Sequence, residues 1–244
     1  MRIVTNEKLV RRNKQFAQYL FFASFGLLGL GLFVSGRQVA PQSDADVALG
    51  LLIPPLVLVL AYTATFISVR MTNLWVRKPR PEEALRESLK GINPKSVLYS
   101  YYHFPARHVL ICPQGVFAIV TRYQDGRISV RGERWQTRRS FAGKLAALFR
   151  FDSIGNPNVD ALRAAQHVES ILKPIAGDVE VKPLILFIDP RVELTVEEPV
   201  VPVCHTSPKH PLNIKDYLWK LGKPQGMPLV QEQIDSFEEK SIGS

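Results

Sequence analysis

The sequence predicts an α/β protein in two parts, a two-helix transmembrane hairpin followed by a mixed sheet flanked by helices. Three observations predict it. Phe16–Gly36 carries no charge over 21 residues and Val47–Val69 none over 23, each long enough to cross a hydrocarbon core of about 30 Å at about 1.5 Å per residue. Between Arg107 and Arg131, short apolar runs alternate with Pro-, Gly- and Asp-containing turns, the pattern of a β-meander. Ala161, Ala165, Val168 and Leu172 then recur at spacings of four, three and four, a helical stripe.

In order, residues 1–15 read as a short basic cytoplasmic arm, and 16–78 as the hairpin with spans at about 16–36 and 47–69. A signal peptide is a poor fit to the first span, because its apolar run is too long and a second span follows closely. Arg2, Lys8, Arg11, Arg12 and Lys14 precede the first span, and Arg70, Arg77, Lys78 and Arg80 follow the second. The connecting segment Arg37–Asp46 holds one cation with Asp44 and Asp46. Positive flanks stay inside, so the expectation is a two-span protein of the cell membrane with both termini cytoplasmic. Pro54-Pro55 predicts a kink in the second span. Gly26, Gly29 and Gly31 are candidates for a packing face, and Trp75 for an interfacial anchor. Cys112 and Cys204 fit a reduced compartment and offer no disulfide framework.

Pro79-Arg80-Pro81 opens the soluble domain, residues 79–221. Glu82–Lys90 reads as a helix with Pro81 near its start. Ser96–His103 reads as a strand leading into the meander. Arg107–Cys112 and Val116–Tyr123 are strands joined by Pro113-Gln114-Gly115, the second of them apolar on both faces as a central strand should be. Asp125-Gly126 predicts a tight hairpin into a third strand, Arg127–Arg131, with Ile128 and Val130 on one face and Arg127, Ser129 and Arg131 on the other. Thr137–Arg150 is a basic amphipathic segment that either lies in a membrane interface or covers its own domain's sheet. Asn156-Pro157 precedes the helix Val159–Lys173. Leu184–Ile188 is a buried strand, and Val200–Cys204 an edge strand because Pro202 breaks its ladder. Ile214–Leu221 is the last helix, and residues 222–244 read as an acidic, loose tail.

The run HVLICPQGVFAIVTR, His108–Arg122, followed by a Gly-containing turn and Trp135, resembles the core of the nuclease-related domain (NERD) family. The resemblance implies a restriction-endonuclease-like fold over about residues 80–205. It also implies a site in which carboxylates hold a divalent cation beside the scissile phosphate and a lysine positions water. The chain departs from that pattern where the chemistry lies: Arg107 stands at the family's aspartate position, Val120 at its glutamate and Arg122 at its lysine. Glu82 or Glu83 resembles the family's glutamate of the opening helix, though acids in a first turn are also ordinary partners of the helix dipole. With two carboxylates lost, the resemblance implies a nuclease-like pseudo-enzyme, with no metal and no cofactor expected.

Charge points the same way. Residues 70–150 hold sixteen cations and five acids, for +11, while residues 151–244 hold nine and fourteen, for −5. The basic middle predicts a polyanion ligand such as nucleic acid, with Arg107, Arg122, Arg127, Arg131, Arg134, Arg138 and Arg139 as the candidate contacts. An alternative is an accessory or scaffold subunit whose basic face rests on anionic lipid and whose hairpin packs against other membrane proteins. A third is a metal-dependent nuclease with rearranged ligands, Glu82 or Glu83 with Asp125 and Glu133. Cys204, His205 and His210 match no standard zinc spacing. No phosphate-binding glycine loop and no nucleophile motif is present.

Overall fold

The computed structural model describes residues 1–36, 44–138, 154–222 and 226–242. The chain divides into two units: residues 8–78, and a second formed by residues 1–7 together with the described residues from Pro79 onward.

The first unit is the helix pair α1 (Glu7–Gly36) and α2 (Asp44–Trp75). Both are long and apolar enough to cross a membrane, with only 11% and 6% of their most apolar windows buried. That exposure is unlike the core helix of a soluble protein. Phe22, Leu32, Leu51, Leu58 and many similar side chains point outward. Among the described residues the two helices bury Val10 and Trp75 near the ends of the pair and the small side chains Ala17, Ser24, Ala61 and Ser68 between them. Small residues let two helix backbones approach closely. Gly31 lies seven residues beyond Ser24, and a Cβ there would sit 3.2 Å from Val57 Cγ1. Gly26 and Gly29, read from the sequence as partners in that face, have nothing within 4 Å of a Cβ. Pro54 and Pro55 lie inside a helix assigned as continuous.

The second unit is a six-stranded mixed sheet in the order β1-β2-β3-β4-β7-β9, with a separate three-stranded sheet. The strands of the large sheet are β1 (Arg2–Thr5), β2 (Val97–His103), β3 (Ala106–Cys112), β4 (Gly115–Arg122), β7 (Val181–Phe187) and β9 (Val203–His205). The β3–β4 hairpin forms as the sequence predicts, with Cys112 opposite Gly115. Gly115 takes a φ of +133° that favours glycine. β4 is buried along nearly its whole length and pairs with β7 in parallel. Helix α4 (Pro157–Ala176) covers one face, packing Ala161, Ala164, Ala165, Val168 and Leu172 with Val109, Ala118 and Ile185. Helices α3 (Pro81–Ser88) and α5 (Ile214–Lys220) cover the other, where Leu85, Leu89, Ile214 and Leu218 meet Leu98, Leu110, Phe117 and Leu186.

Three expectations need correction. Residues 1–15 are not merely an arm: Arg2–Thr5 pairs in parallel with β2, from Arg2 opposite Val97 to Thr5 opposite Ser100. The crossover between these two parallel strands therefore contains both apolar helices. The third strand of the predicted meander, β5 (Gly126–Arg131), leaves the large sheet. It pairs with β6 (Arg134–Arg138) antiparallel and with β8 (Val192–Glu197) parallel. Asp125-Gly126 thus serves a change of sheet, not a hairpin turn. Finally, residues 222–244 are not a loose tail. Helix α6 (Gln231–Ile242) buries Ile234 and Phe237, preceded by buried Leu229. Phe237 stacks on His103 at 4.4 Å and meets Tyr99 edge-on at 5.5 Å. Glu238 accepts from Tyr99 Oη at 2.6 Å and pairs with Arg2, which ties β1 to α6. The acids Glu232, Asp235 and Glu239 give the segment its tail-like composition from the solvent side of that helix.

Candidate polyanion interface and the arginine corner

The alternation of β5 sends Ile128 and Val130 into the core and leaves Arg127, Ser129 and Arg131 outside. The neighbouring strands keep the same phase. Trp135 of β6 and Leu194 and Val196 of β8 pack inward, while Arg134, Gln136 and Arg138, and Glu193, Thr195 and Glu197, face out. The register makes a three-by-three grid of polar side chains. One row is Arg138–Arg127–Glu193, the next Gln136–Ser129–Thr195, and the third Arg134–Arg131–Glu197. Arg127 Nε reaches Glu193 at 2.8 Å and Arg131 Nε reaches Glu197 at 3.4 Å, both in exposed pairs. Two like-charge pairs, Arg127 with Arg138 and Arg131 with Arg134, stand directly opposite each other. Such pairs are destabilising by about 0.2–1 kcal/mol each. The face is therefore less basic than composition suggests on its β8 side, and most basic along β6 at Arg134 and Arg138. Arg139, and the amphipathic segment beyond Arg138, lie outside the described residues.

The motif positions come together at one end of the large sheet. His108 is opposite Ile119, so Arg107 stands opposite Val120, with Arg122 two residues on. Val109, Ile111, Val116, Ala118 and Val120 all belong to the core under α4, which places Arg107 and Arg122 on that same face. Arg107 is half-buried. The Arg122 side chain is 14% exposed and pairs with Asp160, in the first turn of α4. Its Nη1 donates to the Thr121 carbonyl at 3.3 Å, and its Nε is buried with no hydrogen-bond partner. Burial lowers the Arg122 pKa, Asp160 opposes that, and the cationic Arg107 lowers it further. Asn158, also in the first turn, is 5% exposed, and neither its Oδ1 nor its Nδ2 has a partner.

The carboxylates proposed as rearranged metal ligands are engaged separately. Glu82 is buried, accepts from Tyr101 Oη at 2.8 Å and pairs with Arg80 at 3.1 Å. Glu83 closes a capping box with Arg80. Asp125 faces Arg191 at 3.3 Å, and Glu133 lies in the β5–β6 turn. Among the described residues, no group of three or more His, Cys, Asp or Glu side chains is placed to hold a metal ion. His205 Nδ1 accepts from the Ser207 amide at 2.8 Å, and its Nε2 lies 3.0 Å from the Asp189 carbonyl. Both ring nitrogens are thus in structural use, while Cys204 is buried with its thiol pKa pushed up to about 12 by desolvation.

Sequence reading missed Asn158, Asp160, Glu193 and Glu197. The V-E-L-T-V-E alternation at 192–197 was a usable signal for β8; the meeting of Asp160 with Arg122 was not, since it is a tertiary event. Comparisons with protein-family models, with curated proteins and with solved structures return no match to the chain.

Proposed function

We propose that the chain is a membrane-anchored, NERD-like cytoplasmic domain that binds a polyanion, nucleic acid in the first place, and does not cut it. The observation that carries the reading is the exposed arginine grid. Four arginines project from adjacent strands with two like-charge pairs face to face, a cost that bound phosphates would offset. Arg134 and Arg138, on β6, are the principal contacts, and Arg127 and Arg131, already matched by Glu193 and Glu197, contribute less. The arginine corner supports the absence of hydrolysis. Arg107 would repel a divalent cation, Val120 offers no oxygen, and a guanidinium, always protonated in proteins, is no base at neutral pH.

The topology reading gains support from β1. It precedes α1 and pairs with β2, which follows α2. Two crossings return the chain to its starting side, as that pairing requires, and the cationic flanks make that side the cytoplasm. A lipid-facing reading is favoured by one further observation: only Asn6 separates β1 from α1, and residues 76–80 separate α2 from α3. The basic residues 70–150 thus follow the second apolar helix directly in the chain, and anionic headgroups attract basic segments next to a membrane helix.

The test uses the full chain in nanodiscs of neutral lipid and a fluorescently labelled oligonucleotide. The expected result is binding that Arg134→Gln with Arg138→Gln weakens at least tenfold, while thermal stability stays equal or rises as the cross-strand repulsion is relieved. No oligonucleotide binding at low salt, with tight association to vesicles containing anionic lipid, would transfer the assignment to the lipid-facing scaffold.

A further inference from the structure

We infer that the chain self-associates edge to edge, β6 of one copy pairing antiparallel with β8 of the next, so that the small sheet continues across copies. Among the described residues neither strand has another strand beyond it: β6 and β8 are the two edges of the three-stranded sheet, and β5 is its centre. An edge strand presents a row of N–H and C=O groups ready for pairing, which natural sheets protect with bulges, prolines or inward-pointing charges. Neither edge carries such a device. Both ladders run without a register shift, and neither Arg134–Arg138 nor Val192–Glu197 contains proline. The inward phase holds Trp135 and Thr137 on β6, and Leu194 and Val196 on β8, none of them charged. Those side chains are also incompletely covered. Ile128 and Val130 of the central strand are each 1% exposed, whereas Trp135, Leu194 and Val196 are half-buried and Thr137 is exposed.

Charge supplies both the partner and the register. β5 is antiparallel to β6 and parallel to β8, so the two edges run in opposite directions with their charged faces on the same side. Extending the rows of the sheet by one strand sets Arg138 opposite Glu193 of the next copy and Arg134 opposite Glu197 of the next copy. Between them Gln136 meets Thr195, while on the inner face Trp135 meets Val196 and Thr137 meets Leu194. Each face-to-face arginine pair, Arg138 with Arg127 and Arg134 with Arg131, thereby gains a carboxylate on its β6 side. A slip of one residue would turn the apolar side chains to the charged face. The symmetric alternatives are repelled: antiparallel pairing of β6 with β6 sets Arg134 against Arg138, and of β8 with β8 sets Glu193 against Glu197. A contact between two different edges is heterologous, so it builds rings or chains of copies and not a closed two-fold dimer.

Sedimentation velocity of the full chain in detergent, at low ionic strength and without nucleic acid, tests the pairing over a concentration series. The wild-type chain should form species larger than the monomer as concentration rises. Glu193→Lys with Glu197→Lys makes both edges basic, and Arg134→Glu with Arg138→Glu makes both acidic. Either variant alone should lose about tenfold or more in association constant. Mixed in equal amounts, the two should recover the wild-type behaviour, because every contact between unlike copies again joins opposite charges. Misfolding or association through the apolar helices would not give that recovery. If a double variant fails to fold, Glu197→Lys and Arg134→Glu, which oppose each other across the contact, carry the same comparison. A wild-type chain that stays monomeric throughout the series, variants that associate as the wild type does, or a mixture that does not recover overturns the inference. It does not rest on nucleic-acid binding. Glu193→Lys with Glu197→Lys keeps Arg134 and Arg138, so it should retain oligonucleotide binding while losing self-association, and either claim can fail while the other stands.

Discussion

Replacing Phe237 with alanine removes the largest contact between the C-terminal helix and the sheet. The ring is fully buried, stacked on His103 and edge-on to Tyr99. Truncations of buried phenylalanine cost about 3–5 kcal/mol, through lost burial plus the residual cavity. The upper part of that range applies here, because the ring sits between two aromatic groups and a helix. The effect should also be regional. With Phe237 gone, α6 keeps only the buried Ile234, with Leu229 just before it, and the Glu238 contacts to Arg2 and Tyr99; the Arg2 pair is partly exposed and worth at most about 1 kcal/mol. Urea unfolding of the full chain in detergent gives the stability change. Limited proteolysis gives its location, with cleavage expected between Gly226 and Gln231 well before the large sheet opens. Glu238→Gln is the matched control, expected to cost about 1 kcal/mol or less. A Phe237→Ala change below 1 kcal/mol, with unaltered proteolysis, would mean that α6 is not part of the domain's core.

Three further outcomes follow from the same geometry. His103 is buried with its pKa pushed down to about 4 by desolvation, and His108 to about 3 by burial with Arg107 nearby. Their unfolded-state values are near 6.5, so the stability that these neutral rings preserve is complete above that pH and is lost as pH falls toward 4. His103 alone accounts for about 3 kcal/mol. His103→Gln should flatten acid denaturation curves between pH 6 and 4, and an unchanged curve would contradict the buried, neutral ring. Gly31→Leu should separate α1 from α2, because even a Cβ there meets Val57 at 3.2 Å. The loss of that contact should lower the thermal midpoint of the chain in detergent, and an unchanged midpoint would place the helix contact elsewhere. The purified chain with Mg²⁺ or Mn²⁺ should leave DNA and RNA uncut. Metal-dependent cleavage that disappears on Glu82→Ala with Glu83→Ala would show that ligands had moved to new positions.

What the chain reveals before folding depends on whether the signal is local. The two apolar helices are legible because absence of charge over 20 or more residues has few other meanings. The β3–β4 hairpin is legible from Pro113-Gln114-Gly115, and α4 from Asn156-Pro157 and its alanine stripe; Asn156 indeed accepts from the Val159 amide as an N-cap. β1 was hidden because Arg2-Ile3-Val4-Thr5 is four residues long and basic, and its partner strand lies more than 90 residues away. The tight hairpin expected at Asp125-Gly126 does not form, because the ion pair of Asp125 with Arg191 and the pairing of β5 with β8 are tertiary choices that a local turn signal does not carry. α6 was misread because its acids outnumber its apolar residues, although Leu229, Ile234 and Phe237 already carried the burial pattern. At the site, the cationic and apolar replacements Arg107, Val120 and Arg122 could be read from their spacing. That β8 would supply Glu193 and Glu197 to half of the basic face could not.

The salt dependence of oligonucleotide binding tests the central proposal most directly. Measured by anisotropy on the full chain in neutral-lipid nanodiscs, log K against log salt should fall linearly. Each neutralised phosphate contributes a slope of about −0.9 on duplex and about −0.7 on a single strand. Four arginines on the β5–β6 face, two of them shared with Glu193 and Glu197, predict a duplex slope between about −2 and −4. Arg134→Gln with Arg138→Gln should reduce its magnitude by nearly 2. A slope near zero, or one that the double substitution leaves unchanged, would contradict the assignment of this face as the polyanion-binding surface.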